Sequence, residues 1–192
     1  MDALSGILKK EIVLSKPLTR VLAVAVFVIL TSLGASVRIP LPFTPVPITL
    51  QTFFVLLSGA CLGASLGVTA QVSYIFLGLA GLPIFSGAGS GLLYLAGPTA
   101  GYLVGFVIAA LFTGVCLKGE RHHAIYVWTV LFLADAILLA CGIVWLKVLL
   151  GYSWGKLLLI GVLPFVPGDI IKVSLAALCY MKLRLRCREI VV

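Results

Sequence analysis

The sequence predicts an all-α integral membrane protein, a bundle of six transmembrane helices with N- and C-termini on the cytoplasmic side. Three observations carry that reading. Hydrophobic residues make up 62% of the 192 positions and charged residues only 10%, a balance that no soluble domain could solvate. Residues 39–117 contain no Asp, Glu, Lys or Arg, and such a run of 79 holds about three spans of roughly 20 residues each. The basic residues fall in three clusters: Lys9, Lys10, Lys16 and Arg20 before the first apolar run, Lys118 and Arg121 in one connector, and Lys182, Arg184, Arg186 and Arg188 at the end. Placed on one side, these ten of the fourteen basic residues satisfy the positive-inside rule and require an even number of crossings. The net charge of +8 therefore marks membrane edges and not a nucleic-acid surface.

The chain reads as a single membrane domain, 1–192, with residues 1–19 a basic segment lying on the membrane surface. Val21 to Val37 forms the first span, uncharged between Arg20 and Arg38. Residues 38–47 follow as an outer loop whose four prolines fix their own φ and push Thr44 and Val46 to extended conformations. The stiff loop reads equally as a lid over a ligand or as a rigid spacer. A second span runs from about Ile48 to Ala64, and the small residues from Gly59 to Gly67 turn it into a third, from about Val68 to Leu82. The glycines of "PIFSGAGSGLLYLAGP", residues 83–98, give an irregular outer loop with a brief apolar piece. Thr99 to Leu117 is the fourth span and Ala124 to about Leu150 the fifth. Residues 151–167 are too short and proline-broken to cross, so they form an outer connection with one apolar helix, and the sixth span runs from near Gly168 to before Lys182.

Few side chains offer chemistry. Asp135 and Asp169 are the acids at membrane depth, where ionisable groups are expensive and face a cavity or a partner. In "FVPGDIIK", Asp169 and Lys172 stand three apart on one helical face, either as a dipole-favoured surface pair or as a fixed acceptor and cation for a small ligand. Asp135, mid-span with no visible partner, reads first as internal packing. Gln51 borders the proline loop and is the better ligand candidate of the two span glutamines, the other being Gln71. Phe43, Phe85, Tyr94 and Tyr102 flank the outer loops, placed to stack on a ligand or to anchor at the interface. His122 and His123 are adjacent and cannot face one metal from a helix. The five cysteines form no CxxC pair and read as small buried hydrophobes. "GYSWGKL" lacks the spacing of a phosphate-binding loop, and no nucleophile-and-base set for an enzyme is present, so no catalytic, metal or cofactor role is assigned.

Three segments together, "VRIPLPFTPVPITLQT", "GLAGLPIFSGAGSGLLYLAGPTAGYLVGF" and "PGDIIK", resemble the BioY family of biotin-binding substrate (S) components of energy-coupling factor (ECF) transporters. The resemblance, over roughly residues 20–182, implies biotin held near the outer face of a bacterial cytoplasmic membrane with the loop after span one helping to cover it. It implies as partners a transmembrane coupling (T) component and two ABC ATPases. Asp169 would accept from the ureido N–H, and Lys172 would meet the ureido oxygen or the carboxylate. The segment from Ser86 to Ser90 would line the cavity, with Tyr94 and Tyr102 nearby. S components commonly present a row of small residues on helix one to the coupling subunit; here the row Ala23, Phe27, Thr31, Ala35 is interrupted by Phe27. A self-sufficient transporter or channel for a small carboxylate-bearing solute is the competing reading.

Overall fold

The computed structural model describes residues 16–119 and 122–191. Residues 1–15 of the expected surface segment, and Arg121 of the basic connector, lie outside the described residues. The first helix, α1, spans Lys16–Ser36 and so takes in the last residues assigned to that segment. Pro17 suits a helix's first turn, where its missing N–H costs nothing, and this lets the helix begin ahead of Val21. Thr31 and Ser32 return their hydroxyl protons to the carbonyls of Phe27 and Val28, each at 2.8 Å, so neither polar group is bare at membrane depth.

The row on α1 does not face outward. Phe27, Thr31 and Ala35 are buried inside the chain, while Val26, Ile29 and Leu33 form the exposed face. A bulky Phe27 in a row of small residues is explained by this inward packing, since it fills core volume. Phe27, Thr31 and Ala35 of that row are therefore covered by this chain itself.

Beyond α1, β1 (Arg38–Ile39) pairs antiparallel with β2 (Ile48–Thr49), Arg38 opposite Thr49 and Ile39 opposite Ile48. The four prolines lie between these strands, because proline cannot donate to a ladder. Leu50 N–H donates to both Gly34 and Val37 carbonyls, at 3.1 and 3.2 Å, and ties the ribbon to the end of α1.

The helical segment α2, Gln51–Leu79, doubles back on itself. Gln51 and Tyr74 would stand roughly 34 Å apart on one straight helix, yet their side chains are hydrogen-bonded at 2.7 Å. Gln71 likewise bonds Ser58 at 3.0 Å. The reversal is at Gly63, whose φ of 75° and ψ of 179° are open only to glycine. Small residues let the arms close: a Cβ on Gly67 would meet the Gly59 Cα at 3.0 Å. Arms 51–62 and 64–79 thus replace the expected second and third spans, the third beginning earlier than Val68 because the turn needs one residue and not several.

A one-turn helix α3 (Leu92–Leu95) interrupts the glycine-rich loop, followed by α4 (Ala100–Cys116) and α5 (Ala124–Leu150). Gly151, at φ 65°, terminates α5 in the left-handed conformation. The connection carries α6 (Trp154–Gly161), bent by 53° from the last helix, α7 (Val166–Val191). As a helix α7 continues well past Lys182, before which the sixth span was expected to finish: lysine, arginine and leucine are good helix formers, and no glycine or proline follows to stop it. Arg184 donates to the His122 carbonyl at 3.4 Å, which brings α7's basic stretch to the connector that carries Lys118.

Lys16–Ser36, Gln51–Leu79 and Ala124–Leu150 are long and apolar enough to cross a bilayer, although the second is a hairpin and not one straight rod. The protein is a multi-pass membrane protein. α4 packs between the α2 hairpin and α5 through glycines: a Cβ on Gly59 would strike Ala110, and one on Gly105 would meet Leu138. Of the described cysteines, only Cys61 is buried. Cys116, Cys141 and Cys179 are partly exposed, correcting the expectation for these three, since in a thin bundle much apolar surface is covered by lipid and not by protein.

Candidate ligand-binding site

The proline ribbon, the start of α2, the glycine-rich loop and the start of α7 converge on one end of the bundle. They enclose a cavity of about 510 Å³, open mouth included. Val46, Pro47 and Thr49 line it from the ribbon, Gln51 and Thr52 from α2, and Ser86 and Tyr94 from the glycine-rich loop. Thr99, Tyr102, Leu103 and Phe106 come from the start of α4, Leu138 and Leu139 from α5, and Phe165, Asp169 and Lys172 from the last segment. The walls are mostly apolar with a few fixed polar groups, as in sites for small organic ligands.

Lys172 organises the base. Its Nζ stands 2.5 Å from Asp169 Oδ1 and donates to Thr52 Oγ1 at 2.7 Å and to the Thr49 carbonyl at 3.2 Å. Two of the three N–H donors of the ammonium are thus in hydrogen bonds, and its charge faces Asp169. The Thr49 bond also pins the ribbon to α7. Asp169 lies in the first turn of α7, where the helix dipole favours an acid, and both its carboxylate oxygens are buried without a hydrogen-bond donor among the described residues. A buried acceptor of that kind calls for a donor, which an N–H-bearing ligand supplies.

Asp135 is not merely packed away. It is 3% exposed, and the charges that act on it are those of Asp169 and Lys172. The base therefore holds two carboxyl groups beside one ammonium. Asp135 does not itself line the cavity. Its helix was legible in the sequence; its neighbours, 34 and 37 residues on in the chain, were not.

Gln51 donates to the Tyr74 hydroxyl, which donates in turn to the Ile84 carbonyl at 3.0 Å. With its Nε2 so engaged, Gln51 has its amide oxygen left to offer the cavity. Tyr102 gives its proton to the Gly161 carbonyl at 2.8 Å, so it presents ring and not hydroxyl donor. Tyr94 stacks on Phe85 at 4.6 Å and reaches the Ser86 carbonyl at 3.4 Å; burial raises the pKa of its phenol and keeps it neutral.

Six of the nine expected residues thus line one cavity: Gln51, Ser86, Tyr94, Tyr102, Asp169 and Lys172. Phe43, 59% exposed, Phe85 and Ser90 do not. Phe85 is instead a wedge, 1% exposed, edge-on to Tyr74 at 5.5 Å and seated on Gly78. Thr49 and Thr52 were missed. Their signal was present, polar residues two and one positions from Gln51, but hydroxyls at a helix start read by default as caps.

The fold and site together define a class: a membrane-embedded helical bundle with a largely apolar cavity at one end, lined in part by a proline-stiffened ribbon. The chain belongs to the BioY family, whose sequence model matches residues 8–189. Among its relatives, a probable biotin transporter BioY from Pyrococcus horikoshii is 37% identical over 84% of this chain and 93% of that protein. A biotin transporter BioY from Thermotoga maritima is also 37% identical, over 83% and 92%. One from Rhizobium etli is 39% identical over 78% of this chain and 84% of its own. The fold matches the crystal structure of the S-component for biotin from an ECF-type ABC transporter, with a TM-score of 0.81 and 25% identity over 86% of this chain and 90% of that one. These relatives are named as transporters and not enzymes.

Proposed function

We propose that this chain is a biotin-binding S component, capturing biotin at the outer face of a bacterial cytoplasmic membrane and delivering it inward with a T component and two ABC ATPases. The observation that carries the reading is the Asp169–Lys172 pair at the base of an apolar-walled cavity, with the buried Asp169 oxygens lacking a hydrogen-bond donor among the described residues. Biotin's ureido N–H groups are donors for Asp169 and for the Gln51 oxygen, and its apolar ring and chain suit Phe106, Leu138, Leu139 and Phe165. The ribbon serves as the lid. Little of its freedom remains to be lost on closing, because four prolines already restrict it.

Biotin binding by the purified protein, with Asp169→Asn and Lys172→Ala beside it, tests the site. Each variant is expected to lose about tenfold or more in affinity, the worth of one hydrogen bond to a charged group. Unchanged affinity in both would remove the assignment. Vesicles containing this chain alone are expected to show no concentrative uptake until T component, ATPases and ATP are supplied; uptake by the chain alone would favour a self-sufficient transporter.

A further inference from the structure

We infer that Arg38, together with Ser86, holds the ligand's carboxylate at the mouth of the cavity, so that the ligand lies with its neutral ring toward Lys172 and its acid toward the ribbon. The inference rests on the biotin reading and settles what that reading left open, which cation meets the acid.

The base is a poor place for a second anion. Two Lys172 donors are engaged and its charge is matched by Asp169, while Asp135 adds another carboxyl beside the pair. A ligand carboxylate there would meet two acids, and like charges at short range in low dielectric repel strongly.

The mouth offers the opposite chemistry. Arg38 lies directly across the ribbon from Thr49, a cavity-lining residue, and directly opposed residues of an antiparallel pair project from the same face. Its guanidinium reaches over to the glycine-rich loop and rests on Gly87, where any Cβ would collide with Nη1. Gly87 also has φ +77°, so the position excludes a side chain twice over. The residue before it, Ser86, lines the cavity, and its Oγ is buried with no hydrogen-bond partner. Arg38 itself makes no ion pair and no hydrogen bond among the described residues. The other lysines at this end are engaged: Lys147 donates to the Tyr152 carbonyl at 2.7 Å, and Lys156 sits over the Tyr152 ring at 3.6 Å. A planar guanidinium fork beside an unsatisfied hydroxyl is a fit for carboxylate, and an exposed arginine at the mouth also draws anions toward it.

The test compares biotin with biotinamide, neutral and nearly the same shape, on wild type, Arg38→Gln, Arg38→Lys and Ser86→Ala by calorimetry in detergent. Wild type is expected to prefer the acid by ~10-fold or more. Arg38→Gln should abolish that preference by weakening biotin alone, with biotinamide affinity within about twofold of wild type. Arg38→Lys and Ser86→Ala should keep part of it. Because Arg38 is exposed, its variants should fold, and unchanged biotinamide binding is the internal check. Arg38→Gln protein that keeps the wild-type preference overturns the assignment and leaves the biotin reading standing; wild type that binds neither compound overturns both.

Discussion

Gln51 and Tyr74 are 23 residues apart in the chain and share a hydrogen bond of 2.7 Å, from the amide Nε2 to the phenol oxygen. Tyr74 passes its own proton to Ile84. A cavity wall, the closing of the α2 hairpin and the root of the glycine-rich loop are joined by one buried relay, in surroundings where an unmade bond is costly.

Tyr74→Phe should therefore lower stability by about 1–3 kcal/mol, because it strands the buried Gln51 donor and the half-buried Ile84 carbonyl. Thermal unfolding in detergent reads the loss. A variant melting with wild type would mean that the relay contributes nothing.

Glycines should sort by backbone and not by helix membership. Gly63→Ala, at φ 75° and ψ 179°, should cost ~1–3 kcal/mol. Gly155→Ala, in helix α6 with nothing within 4 Å of a new Cβ, should be neutral or stabilising by up to about 1 kcal/mol. Equal effects on melting temperature would contradict the turn at Gly63.

The ion pair at the base should show strong coupling. Lys172→Met alone leaves Asp169, 4% exposed, without its cation and should cost roughly 3–5 kcal/mol. Adding Asp169→Asn should recover part of that stability. A double variant as unstable as the summed singles would show the two groups to be energetically independent.

Gly78→Ala should damage binding as well as fold. Its new methyl would land in the Phe85 ring, and Phe85 precedes Ser86 in the loop that lines the cavity. Biotin affinity is expected to fall about tenfold while stability drops by ~1–3 kcal/mol, the usual cost of overpacking. Wild-type affinity would mean that Phe85 can shift without moving the cavity wall.

The positions of the helices were legible because charge and glycine mark them: Ala124–Leu150 is bounded by the basic connector and by Gly151, and structure and sequence agree on it. The proline loop was legible for the same kind of reason, since proline constrains the backbone wherever it stands. The Asp169–Lys172 pair was legible because a spacing of three on a helix is a local relation. Phe43 and Phe85 were not distinguishable from Tyr94 and Tyr102, because an aromatic ring beside an outer loop serves equally as wedge, anchor or cavity wall.

Sequence by itself determined a lipid-embedded helical chain, the stiffness of its ribbon and the acid and lysine on its last helix, all of which follow from composition or from neighbours within one turn. Only the tertiary structure decided that α2 reverses at a single glycine, that the small-residue row of α1 faces inward, that Asp135 stands beside Asp169, and that Lys172 spends its donors on Thr49 and Thr52. Those relations join residues tens to more than a hundred positions apart, and the face each helix turns toward the others is set by how the whole bundle packs.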